Sequence, residues 1–246
     1  MNRDYWQASR SPRYSLLFAL PLLIFYQVLA AAVPAGPQGG VRNGADVILQ
    51  TVFVWVAGAW GPRLFMTSLI VVGVWLVVKD LRSHPGAPRP GFFAGMLGES
   101  VGLALVFGVV VGGLTAALLG EPPPLSFAFA RQGVTHLGSG TVLMLSLGAG
   151  IYEELLFRVV LVGLFAWLAR RVLGFRPFIA GTTATIAGAL VFSAFHYIGP
   201  FGDTWQVYSF VFRTIAGLFF SALYLTRGFG VTAWTHALYD VFLILR

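Results

Sequence analysis

The chain has 246 residues, of which 57% are hydrophobic and only 10% charged, and its mean hydropathy is +0.81. Soluble domains carry about 25% charge, so a soluble globule is excluded and lipid is the solvent for most of this surface. The formal charge of +7 comes from fifteen arginines and a single lysine, Lys79; the arginines sit at the ends of apolar runs and not along one element, which points to headgroups and away from nucleic acid. The lack of cysteine removes disulfides, thiolate zinc sites and a cysteine nucleophile.

Arg3, Arg10 and Arg13 precede the first apolar run, 14–33, whose Ala30-Ala31-Ala32 gives it some likeness to a cleavable signal peptide; the preferred reading is an uncleaved first span. The shorter run 47–60 ends in Gly61-Pro62-Arg63 and is read as a surface-lying helix, with a re-entrant piece or an eighth span as alternatives. Runs able to cross about 30 Å of hydrocarbon follow at 64–79, 95–119, 140–169, 178–197, 206–226 and 230–245. Turn residues mark the breaks: Pro34-Ala35-Gly36-Pro37, His84-Pro85-Gly86-Ala87-Pro88, Glu121-Pro122-Pro123-Pro124 and Gly199-Pro200. No period-two alternation of barrel strands occurs. The expected fold is an all-α polytopic bundle of seven transmembrane helices, or eight if 47–60 also spans.

Charge in the short loops sets an orientation. With seven spans, Arg3, Arg10 and Arg13, then Lys79, Arg82 and Arg89, then Arg170, Arg171 and Arg176, and finally Arg227 lie on one side. The positive-inside rule makes that side, and the N-terminus, cytoplasmic. Arg42, Arg63, Arg131 and Arg246 then lie outside. The high Arg-to-Lys ratio, with abundant Ala, Gly and Pro, suggests a GC-rich bacterial genome and hence a bacterial inner membrane.

Ionisable residues inside spans are costly and mark functional sites by default. They gather in the last four runs: Glu153, Glu154, Arg158, His196, Arg213, His236 and Asp240. The first three spans hold almost none apart from Glu99, near an end. Residues 1–139 are therefore read as scaffold and 140–246 as the chemical core. At α-helical spacing Glu154 and Arg158 share a face and can pair, whereas Glu153 points about 100° away without a built-in partner. A buried carboxylate with no fixed cation is the natural general base. His196 closes the fifth span, and His236 and Asp240, four apart, share a face of the seventh. That pair could orient an imidazole, bind a metal or relay a proton. Arg213 reads as an anchor or a carboxylate partner, and Gly217-x-x-x-Ser221 as close helix packing.

Taken together, Glu153-Glu154-x-x-x-Arg158, Phe192-x-x-x-His196 and His236-x-x-x-Asp240 resemble the motifs of the CAAX protease and bacteriocin-processing (Abi) family. These are intramembrane endopeptidases that include the Ras-converting prenyl-protein protease. The resemblance covers about 140–245. It implies that Glu153 activates water with the help of His196, that Glu154 and Arg158 position Glu153, and that His236 and Asp240 stabilise the oxyanion. Phe192 belongs to the motif as a supporting residue. Prenyl proteases of the family typically carry Asn where this chain has Asp240. Ionised aspartate only accepts hydrogen bonds, so Asp240 either holds His236 as a donor or is itself protonated. A metal-independent mechanism is preferred, since the strong His-Glu-x-x-His zinc signature is absent. Were zinc bound, Glu153, His196 and His236 would be its ligands. The implied partners are the lipid bilayer and a membrane-associated protein or peptide substrate. A proton-coupled transporter would show inverted repeats, which are not evident; a non-catalytic immunity or scaffold protein of the same fold is the remaining alternative.

Overall fold

The computed structural model describes residues 3–33, 40–120, 137–199 and 202–244. The turns read at Pro34–Pro37 and Glu121–Pro124, together with Pro200, Arg131 and Arg246, lie outside them. Among the described residues every regular element is helical. In chain order these are α1 (Arg3–Ser9), α2 (Pro12–Ala32), α3 (Gly44–Ala57), α4 (Gly61–Ser83), α5 (Pro90–Leu119), α6 (Ser139–Gly148), α7 (Val162–Arg171), α8 (Pro177–Phe195) and α9 (Val207–Ile244). Between α6 and α7 the backbone stays helical through two π-helical stretches, Ala149–Glu153 and Leu155–Leu161. Proline in the first turn starts α2, α4, α5 and α8. There its missing N–H would have had no helical partner anyway.

Among the described residues, five stretches are long and apolar enough to cross a membrane: Pro12–Ala32, Gly44–Ser83, Pro90–Leu119, Pro177–Phe195 and Val207–Leu243. The protein is a polytopic helical membrane protein, with residues such as Phe25, Val28, Val109 and Leu118 turned outward. The sixth and seventh predicted runs are the two helical arms of α9, which meet at a kink where Gly228 adopts the non-helical φ 79° and ψ 175°. Only glycine takes that conformation freely. The bend lies against α2: the Gly230 N–H donates to Ser15 Oγ at 2.8 Å, and Trp234 Nε1 donates to the Phe18 carbonyl at 2.6 Å.

The run read at 47–60 is α3, and after it the chain doubles back so that Phe53 and Phe65 pack 5.5 Å apart. Its two ends differ in surroundings. Asn43, Ala45 and Asp46 are buried in the protein, while Trp55 and Val56 are more than four-fifths exposed. Asp46 accepts from Tyr26 Oη (2.8 Å), Arg42 (2.6 Å) and Gln50 (2.6 Å). A buried carboxylate with three donors has its lost hydration replaced, and the arrangement fastens the start of α3 to α2.

Three of the arginine groups meet at one end of the bundle. Arg13 donates to the His84 and Gly86 carbonyls and pairs with Asp80. Arg10 reaches the Leu225 carbonyl. Arg227 grips Glu99 with two nitrogens and lies 3.8 Å from the Trp6 ring centre. Tyr5 also donates to Glu99, and burial with that carboxylate pushes its phenol up to about 12. It therefore stays a neutral donor at any physiological pH.

Candidate active site

The residues of the three motifs come from the π-helical stretch, the end of α8 and the second arm of α9. A π-helix bonds i to i+5 and is rare, occurring mostly as single-turn bulges near functional sites. Here it widens the helix around Glu153 and Glu154 and turns both carboxylates into the protein. They are 7% and 0% exposed as residues, so neither faces lipid. The second arm of α9 comes unusually close. A Cβ on Gly150 would lie 2.4 Å from the Ala233 carbonyl oxygen and 2.8 Å from Ala237 Cβ.

Glu154 sits between two cations or potential cations. Its Oε2 is 3.2 Å from Arg158 Nε, the pairing expected from the spacing, and its Oε1 accepts from His236 Nδ1 at 2.7 Å. The other ring nitrogen of His236 lies 3.9 Å from Asp240 Oδ2. Arg158 is held over the Phe192 ring, 4.4 Å from its centre, and 5.4 Å from that of Phe220. Phe220 also stacks on His236, with ring centres 4.4 Å apart and planes 20° apart.

Glu153 occupies the other half of the site. Its Oε1 accepts from Asn43 Nδ2 at 2.9 Å. Its Oε2 is buried without a hydrogen-bond partner and faces His196 Nε2 at 4.0 Å. The far nitrogen of His196, Nδ1, donates to the Phe192 carbonyl at 2.9 Å. A carbonyl can only accept, so Nδ1 carries the proton and Nε2 presents a lone pair to Glu153 in the neutral ring. Side-chain exposure rises from 9% at Glu153 to 25% at His196 and 31% at Asp240, so the site opens on the side of the last two.

Residues 136–242 match the family model described as Rce1-like, type II CAAX prenyl endopeptidase. This segment is a CAAX-protease domain. No curated protein and no solved structure matches the chain. The CAAX-protease domain takes in all seven motif residues, and its family gives the general activity, an intramembrane endopeptidase acting on membrane-associated protein.

His196 lies in the turn that ends α8 and His236 lies beyond the bend in α9, and there they reach Glu153 and Glu154 respectively. Several contacts around the motif residues have no counterpart in the motifs. Glu154 binds His236 as well as Arg158, so the two carboxylates serve different histidines. Phe220 packs against both Arg158 and His236, although only small-residue packing was legible around it. Arg213 pairs with Asp203 and Ser209 and lies over the Tyr197 ring, which ties Tyr197 and Asp203 to the first arm of α9. Asn43 lies outside the CAAX-protease domain altogether. Among the described residues, no group of three or more His, Asp or Glu side chains gathers with the spacing a metal ion needs. In the set Glu153, His196 and His236, one nitrogen of His236 is committed to Glu154.

Proposed function

We propose that this chain hydrolyses a peptide bond of a membrane-associated protein or peptide with a water activated by Glu153 and His196. The observation that carries the reading is the 4.0 Å gap between the unpartnered Glu153 Oε2 and His196 Nε2. A water donating to two acceptors at about 2.8 Å each spans about 4.4 Å, so the gap suits one water. Glu153 takes one proton as the water oxygen bonds to the substrate carbonyl carbon, and His196 holds the other hydrogen and so aims the lone pair. The C–N bond then breaks, and Glu153 returns its proton to the leaving amine. The products are a carboxylic acid and an amine, with no net proton change in the enzyme.

Charge on the carbonyl oxygen falls to His236 and Asp240. With carboxylates facing both nitrogens, an imidazolium at His236 donates to Glu154 through Nδ1 and presents Nε2–H to the developing oxyanion. Asp240 acts through His236, holding that donor in place. Arg158, fixed between two aromatic rings, neutralises Glu154 so that it can accept from His236. No step calls for a metal. The arginine groups that meet at one end of the bundle support a cytoplasmic N-terminus, and the Arg-rich, Lys-poor composition supports a bacterial inner membrane. The CAAX-protease segment 136–242 supports the division into an N-terminal scaffold, 1–139, and a catalytic core, 140–246.

Replacing Glu153 by Gln tests this. The variant keeps the size and one acceptor oxygen for Asn43 but cannot accept a proton. Wild-type and Glu153→Gln chains, purified in detergent, are incubated with solubilised bacterial membrane proteins, and new N-termini are counted by mass spectrometry. Cleavage by the wild type and none by a normally inserted variant is expected. Undiminished cleavage by Glu153→Gln would sink the assignment, and a wild type that cleaves nothing would leave a transporter or scaffold role standing.

A further inference from the structure

The general base proposed above receives a hydrogen bond from a part of the chain that its domain does not include. Asn43 lies 110 residues before Glu153 and is 5% exposed. It is the N-cap of α3, and its Oδ1 accepts from the Ala45 N–H at 2.9 Å. That bond fixes which end of the amide faces where: with the oxygen used as the cap, the nitrogen must point away from α3, and it meets Glu153 Oε1. The amide does two jobs at once, one for its own helix and one for the carboxylate.

The seat of Asn43 is built from contacts that leave no slack. A Cβ on Gly148 would lie 2.6 Å from the Tyr26 ring and 2.8 Å from Asn43 Cβ, and one on Gly44 would lie 2.8 Å from the Phe195 ring. The first turn of α3 is therefore wedged between the end of α6, the end of α8 and α2. Asp46, with its three donors, pins the same turn from the other side. A lone capping residue would not require such a setting.

We infer that Asn43 is a positioning residue for Glu153: its amide occupies Oε1, sets the rotation of the carboxylate and leaves Oε2 alone to face His196 and the water. The inference rests on the reading of Glu153 as the base. A carboxylate free to rotate would offer its oxygens to His196 only part of the time, while binding of substrate would be unaffected. The turnover number therefore falls and KM does not.

Serine and aspartate cap helices about as well as asparagine, which separates the two jobs of this side chain. Asn43→Ser keeps the cap and is too short to reach Glu153. Asn43→Asp keeps the cap but turns a donor into a second carboxylate. The site cleaved fastest in the solubilised membrane proteins is followed at varying substrate concentration, with thermal unfolding of each variant measured in detergent. Loss of one hydrogen bond to a charged group predicts a fall in kcat of about ten- to a hundredfold for Asn43→Ser, with KM unchanged and unfolding close to wild type. Asn43→Asp should fall further. If both variants keep wild-type kcat while Glu153→Gln is inactive, Asn43 is a cap only and the inference fails while the function stands. Should Asn43→Ser unfold early, Asn43→Asp decides; early unfolding of both would make the contact structural and overturn the inference. A wild-type chain without activity removes this proposal together with the one it rests on.

Discussion

Gly150→Ala should disable the site without touching any of its polar groups. Gly150 is where the π-helical stretch meets the second arm of α9, and an added Cβ would sit 2.4 Å from the Ala233 carbonyl oxygen. Ordinary contact begins near 3.4 Å, so the arm must retreat by about 1 Å, because a backbone carbonyl cannot swing aside as a side chain can. His236 is three residues beyond Ala233 on the same arm and moves with it, lengthening its 2.7 Å bond to Glu154. Overpacking of this kind costs about 1–3 kcal/mol, and a misplacement of about 1 Å costs roughly a hundredfold in rate. Thermal unfolding in detergent and the kinetics of a single cleavage site read the two effects separately. Gly181→Ala in α8 is the control, since its Cβ would meet nothing within 4 Å; it should leave both unchanged or raise stability by up to about 1 kcal/mol. Wild-type kcat/KM in Gly150→Ala would refute the claim that this contact sets the position of His236.

Three further variants probe the Arg158 sandwich. Arg158→Met leaves Glu154 buried with His236 alone beside it and should lower stability by about 3–5 kcal/mol, read as an earlier unfolding transition. Arg158→Lys retains the charge but not the planar stacking on Phe192 and Phe220 and should fall between Met and wild type; equal damage from Lys and Met would mean that the rings matter more than the charge. Phe220→Leu removes the ring stacked on His236 and should slow cleavage by up to about tenfold, the scale of one aromatic contact, with insertion unaffected. An unchanged rate would show that Glu154 alone orients the imidazole.

Much of the membership of the charged cluster was legible because charges in apolar helices are rare enough for each to be informative. Seven polar or aromatic positions in three runs named the motif residues, and the structure brings them to one place. The pairing of Glu154 with Arg158 followed from their spacing. The angle assigned to Glu153 assumed α-helical geometry, which does not hold through Ala149–Glu153 and Leu155–Leu161, and nothing in that run of apolar residues marks the change of ladder. Asn43 was invisible for a different reason. It is uncharged, stands just before an apolar run and acts on a residue 110 positions away, so no local period could tie the two together. The boundary between the runs 206–226 and 230–245 falls on the kink at Gly228, where two helical arms meet, and the α2 surface they lean on sets the angle between them.

The seat of Asn43 has a consequence for anyone who treats residues 136–242 as a transplantable module. Cut out at its family boundaries, that module would take along its acid, both histidines and the arginine sandwich, but leave behind the amide that occupies Glu153 Oε1 and the tyrosine and aspartate that hold the start of α3 in place. A chimaera joined to foreign membrane helices would need a donor grafted at the same place. The N-terminal helices are thus part of the recipe for turnover, and swapping them is a way to tune the rate of the core without editing the core itself.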